Sequence, residues 1–128
     1  MKTGVYIPQA QLGNLNNLVA GGKVVFIYGP RRVGKTTLIE HFAQEMKDAV
    51  LLVSGEDISV REYLESQSIE KLKAFVGDHE YLIIDEAQHV KNIGLNLKLI
   101  VDHIPSVKII ATGSSSINLA RDHVSIVL

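Results

Sequence analysis

The sequence predicts an α/β fold, a three-layer αβα sandwich in which a parallel sheet lies between two sets of helices. Three observations carry that expectation. Apolar runs at 23–28, 49–53, 81–84 and 107–111 alternate with stretches whose apolar residues recur at helical spacing, the mark of strand–helix–strand units. The runs are continuous rather than alternating, as strands covered on both faces should be. The polar residues with chemical potential sit just after the runs, at the strand ends where open parallel sheets bind ligands.

Composition sets bounds. At 128 residues, 46% of them hydrophobic and 21% charged, the chain is long enough for one domain with its own core. It has no cysteine, which excludes disulfides and thiolate metal sites and suits a reducing cytosol. No apolar run reaches membrane-spanning length, and Met1-Lys2-Thr3-Gly4 leads into no signal-peptide core, so a cytoplasmic location is expected. The net charge of −1 is unevenly placed, with six Lys/Arg against two acids over residues 1–47 and seven against twelve beyond. Part of that early excess is Arg31, Arg32 and Lys35, which suits a polyphosphate. The lack of a basic tract and the few aromatic residues lend nucleic-acid binding little support.

Taken in order, residues 1–22 read as an N-terminal leader and one short helix. Pro8 suits a first turn, and Leu12, Leu15, Leu18 and Val19 fall on one face. Gly21-Gly22 ends that pattern, and 23–128 form the core domain. Lys23–Tyr28 is the first buried strand. Gly29-Pro30-Arg31-Arg32-Val33-Gly34-Lys35-Thr36 then satisfies G-x-x-x-x-G-K-[ST] without a mismatch. The spacing has a physical reason: Gly29 and Gly34 allow backbone conformations and a close approach that a Cβ would block. The loop's N–H groups, from Gly29 to Thr37, can then cradle a phosphate at the positive end of the next helix. Lys35 reaches the β- and γ-phosphates, and the Thr36 hydroxyl can ligand Mg²⁺. Strand, glycine-rich loop and helix (Gly34 to about Lys47) are the context that a phosphate-binding P-loop requires.

Ala49–Val53 is the second strand, closed by Ser54-Gly55-Glu56-Asp57. Ser59 and Glu62 have capping-box spacing, which predicts a short helix at 60–66. A second follows at 69–76, with Ile69, Leu72, Phe75 and Val76 inward. Tyr81–Ile84 is the third strand and delivers Asp85-Glu86. Val90, Ile93, Leu97, Ile100, Val101 and Ile104 then form a helical stripe that Pro105 ends. Val107–Ala111 is the fourth strand and empties into Thr112-Gly113-Ser114-Ser115-Ser116. Val124–Leu128 is a candidate fifth.

After a P-loop, an apolar strand ending in Asp-Glu reads as its magnesium-binding and water-activating partner. Asp85 would hold Mg²⁺ through water, and Glu86 would orient and activate the attacking water. The plainer reading makes Asp85 a helix N-cap and Glu86 a surface acid. Thr112 or Ser114 could hydrogen-bond the γ-phosphate or that water, or could simply cap a turn. The five histidines show no metal-ligand spacing.

Together, Gly29–Leu38, Leu82-Ile83-Ile84-Asp85-Glu86-Ala87-Gln88 and Ile109-Ile110-Ala111-Thr112-Gly113-Ser114-Ser115 resemble the AAA+-type ATPase domain of a large archaeal and bacterial family. Its members usually carry a C-terminal domain of uncharacterised function. The resemblance covers roughly residues 12–116. It implies a sheet in the order 5-1-4-3-2, with the strand of Asp85 not adjacent to the P-loop strand. It also implies phosphate and magnesium contacts at Lys35 and Thr36, a Walker B pair at Asp85 and Glu86, and a sensor at Thr112 or Ser114. Relatives continue into a fifth strand and a helical lid, whereas this sequence stops at Leu128. Arg121 falls near a family arginine, but Ala120 stands where a glycine is expected.

The expected activity is therefore that of an ATPase using ATP and Mg²⁺, slow for want of the lid. The alternatives are a switch or assembly module that binds ATP or ADP with negligible turnover, and a P-loop kinase acting on a small molecule. Self-association and other protein partners are left open.

Overall fold

A computed structural model of the chain describes residues 4–7, 24–28, 33–113 and 124–127. Its elements run β1 (Gly4–Ile7), β2 (Val24–Tyr28), α1 (Val33–Met46), β3 (Val50–Ser54), α2 (Ile58–Leu64), α3 (Ile69–Val76), β4 (Tyr81–Asp85), α4 (Ile93–His103), β5 (Lys108–Gly113) and β6 (Val124–Val127). Short 3-10 turns at Lys47–Ala49 and Ala87–His89 join α1 to β3 and follow β4.

Among the described residues the strands form one sheet in the order β1-β6-β2-β5-β4-β3, and every pairing is parallel. Counted from β2 and setting aside β1 at the outer edge, that is fifth, first, fourth, third, second, as the resemblance implies. β5 separates β4, the strand of Asp85, from β2, the strand that precedes the Gly29–Thr36 segment.

Period-2 alternation divides the strand side chains between two faces. Val24, Phe26, Leu82, Ile84, Ile109 and Ala111 point to one, where Leu64 of α2, Leu72 of α3 and Leu97 and Ile100 of α4 cover them. Val25, Ile27, Ile83 and Ile110 point to the other and meet Ile39 and Met46 of α1. Three layers result, with β4 and β5 dry on both faces.

Several elements depart from the sequence expectation. β1 forms within residues for which the sequence predicts a leader, and its four residues pair with β6 from Gly4↔Val124 to Ile7↔Val127. So short a strand carries little local signal, because its partner lies at the far end of the chain. The helix expected near Leu12–Val19 lies outside the described residues. α2 begins earlier than Ser59-x-x-Glu62 suggests: Asp57, in extended backbone, is the cap and accepts from Ser59 N–H at 2.9 Å. α4 begins only at Ile93, because Glu86 and Asn92 take left-handed conformations that interrupt a helix. Val90 still belongs to the core, but from the link before the helix.

Candidate functional site

The site residues are brought together by strand register. Ile27 pairs with Thr112 across β2 and β5, Ile84 pairs with Ala111 across β4 and β5, and Asp85 pairs with Ser54 across β4 and β3. Thr112 and Asp85 therefore stand side by side at the C-terminal edge of the sheet. Ile83 and Ile110, two residues earlier on each strand, face α1. The same alternation turns Asp85 and Thr112 to the α1 face, where the helix that follows the glycine-rich loop begins.

Thr112 is fully buried. Its hydroxyl donates to Asp85 Oδ1 at 2.5 Å and accepts from Glu86 N–H at 3.0 Å. A hydroxyl has one proton to give, and here it goes to the carboxylate. The short distance is that of a charge-assisted O–H···O⁻ bond. Thr112 thus ties the end of β5 to both members of the acid pair.

Glu86 is 6% exposed and sits at φ 53°, ψ 50°, in the left-handed region. A non-glycine residue there costs about 1–3 kcal/mol and persists where its surroundings over-determine it. Those surroundings are visible. Thr112 holds the Glu86 N–H, His89 N–H donates to the Glu86 carbonyl at 3.3 Å, and Gln88 Nε2 donates to Glu86 Oε1 at 2.7 Å.

A second brace comes from the loop after β3. Gly55 N–H donates to the Asp85 carbonyl at 2.7 Å. A Cβ on Gly55 would lie 2.4 Å from the Glu86 carbonyl oxygen, a distance no side chain can occupy. Glycine is needed here for the close approach of two backbones. Arg61 of α2 clasps this loop, its Nη1 donating to the carbonyls of Gly55 at 3.1 Å and Glu56 at 3.0 Å. Across the site, Glu56 Oε2 meets His89 Nε2 at 3.6 Å, and Glu65 Oε2 accepts from Lys91 N–H at 3.0 Å. The segment bearing the acid pair is held from β5 on one side and from the β3–α2 region on the other.

Of the residues marked in the sequence, Val33, Gly34, Lys35, Thr36 and Thr37 lie in the first turns of α1, which has no acidic residue in its first turn to offset the helix's positive end. Gly29, Pro30, Arg31, Arg32, Ser114 and Arg121 lie outside the described residues. Gly55, Arg61 and Gln88 go unmarked in the sequence as site residues. Gly55 reads there as a turn glycine and Gln88 as a letter of the Asp-Glu-x-Gln motif, while Arg61 gives no signal at all.

Among the described residues no three His, Asp or Glu side chains converge as a metal-binding set. Magnesium asks for less: one or two protein oxygens, with phosphates and waters completing an octahedron. The half-buried Asp85 carboxylate, steadied by Thr112 and turned to the α1 face, is a hard oxygen donor of the right kind.

A parallel sheet in this order, with a helix opening after the first core strand and a held acid pair closing the third, defines a P-loop-type α/β sandwich. The chain belongs to the AAA domain family, whose model matches residues 21–126. Membership points to nucleotide binding and to ATPase-type chemistry. A comparison with curated proteins finds no match. No helix among the described residues is long and apolar enough to cross a membrane.

Proposed function

We propose that the protein binds ATP with Mg²⁺ and hydrolyses it to ADP and phosphate. The observation that carries this reading is the Asp85–Glu86 pair, delivered by a buried strand and pinned by Thr112, with Asp85 turned to the face of α1, the helix whose first turns contain Lys35 and Thr36. Two adjacent acids held by so many donors at the end of a buried strand are suited to a reacting role.

In this reading the backbone N–H groups between Gly29 and Thr37, those of Arg31, Arg32 and Val33 among them, cradle the phosphates, Pro30 shapes the loop without donating, and Lys35 neutralises the β- and γ-phosphates. Thr36 and Asp85 would hold magnesium, which when bound supplies charge neutralisation at the phosphates. Glu86 orients the attacking water and takes its proton. Because Thr112 donates its proton to Asp85, Ser114 is the better candidate to meet the γ-phosphate.

Calorimetric titration with ATP·Mg²⁺ and ADP, run beside a hydrolysis assay, tests the proposal. Lys35→Ala should weaken ATP binding at least tenfold, about 1.4 kcal/mol, in a protein that remains folded. Glu86→Gln should bind nearly as well as the parent and lose all but a small residual rate of hydrolysis. Equal affinity in Lys35→Ala would remove Lys35 from the site. An unchanged rate in Glu86→Gln would assign water activation elsewhere.

A further inference from the structure

Gln88 takes no part in the reading above, yet it touches the residue on which hydrolysis depends. The left-handed backbone of Glu86 leads directly into the 3-10 turn Ala87–His89. That tight turn brings a side chain two positions on back alongside Glu86. Gln88 Nε2 then donates to Glu86 Oε1 at 2.7 Å, at the short end for N–H···O bonds, where a charged acceptor is normal. The acceptor is buried and the donor half-buried, so water competes weakly for the bond.

The residue type also matters. An amide supplies a donor without charge, so it can orient a carboxylate without neutralising it as a lysine would. A carboxylate offers about four acceptor positions, and one amide bond fixes its rotamer without by itself removing its capacity to take a proton.

We propose that Gln88 is a positioning residue for hydrolysis, its amide holding the Glu86 carboxylate in the orientation that accepts the proton of the attacking water. This rests on the ATPase reading. In the step concerned, the water oxygen bonds to the γ-phosphorus, the bond from that phosphorus to the ADP oxygen breaks, and the water's proton passes to Glu86. Gln88 touches neither the water nor the phosphate in this reading and acts through Glu86 alone.

The test is a double-mutant cycle on the full chain, read by single-turnover hydrolysis of ATP·Mg²⁺ with calorimetric ATP affinity alongside. Gln88→Met keeps length and volume but removes the donor. It should slow hydrolysis about tenfold, the scale of a slightly misplaced catalytic group, and change ATP affinity less than twofold. In a Glu86→Gln background the same change should cost less than twofold, because the group that Gln88 orients is already disabled. Equal losses in both backgrounds would mean that Gln88 acts by some other route, and an unchanged rate would mean that it does not act. A faster Gln88→Met would show that the amide restrains Glu86, and would overturn the proposal as well. If Gln88→Met does not fold by circular dichroism, Gln88→Ala is read in the same way. A parent no faster than Lys35→Ala would remove the ATPase reading and this one together, whereas a parent clearly faster, with no effect at Gln88, removes this one alone.

Discussion

β3 and β4 are neighbouring strands of the same length and nearly the same chemistry, Val-Leu-Leu-Val-Ser against Tyr-Leu-Ile-Ile-Asp, paired in register along their whole length. Their environments are opposite. Tyr81 to Ile84 are all buried in β4, whereas no residue of β3 is, and its Leu52 is 44% exposed. β4 has a strand on each side and helices over both faces, while β3 is one edge of the sheet. Leu52 lies in an open groove beside Glu40, Ala43, Gln44 and Lys47 of the α1 region. The difference extends to function. The central strand ends in acids that can be held among fixed donors, and the edge strand ends in the glycine turn that braces them. Burial, and with it the capacity to build a site, comes from a strand's place in the sheet and not from its composition.

The largest expected effect tests that claim in the central strand. Ile83→Ala removes a fully buried side chain packed on the α1 face and should destabilise by about 2–5 kcal/mol in urea unfolding. A loss below 1 kcal/mol would mean that the two strands are less different than their burial indicates.

Next comes the hydroxyl that ties β5 to the end of β4. Thr112→Val keeps the shape, leaves the Glu86 N–H without that acceptor, and removes the hydrogen bond that Asp85 accepts. A cost of about 1–3 kcal/mol in stability is expected, together with weaker magnesium-dependent ATP binding, and Thr112→Ser should recover much of both. Full magnesium dependence in a stable Thr112→Val protein would reduce the residue to a packing role.

The edge strand should respond far less. Leu52→Ala is expected to change stability by no more than about 0.5 kcal/mol, as surface substitutions usually do. A loss close to that of Ile83→Ala would reveal a covering for this edge that the described residues do not show.

The smallest effect is at the N-terminal ends of β4 and β5, where Lys108 Nζ contacts Glu80 Oε2 at 2.6 Å beside the Tyr81 ring. The hydrogen bond to Glu80 raises the Lys108 pKa above its ordinary 10.5. A raised lysine contributes stability that is fully present below its unfolded value and is lost as pH climbs through the folded one. The difference in melting temperature between the parent and Lys108→Met should therefore be constant from pH 7 to 9 and shrink at the alkaline end. A difference that does not change with pH would assign the effect to packing of the lysine stem.

The fold class, the order of core strands and helices, and the strand that ends in Asp85-Glu86 were all legible in the sequence, because each is a local pattern. Periodicity, glycine spacing and a strand ending in acids operate over a few residues, and covalent connection keeps them together. Tertiary structure decided what depends on contacts distant along the chain. Thr112 lies 27 residues from the Asp85 it holds, a distance that only the β4–β5 register closes. Gly55 must be glycine because another backbone passes against it, and Gly4–Ile7 is a strand because β6 lies beside it. Such contacts follow from the order in which strands assemble into the sheet, and that order is set by packing across the whole domain.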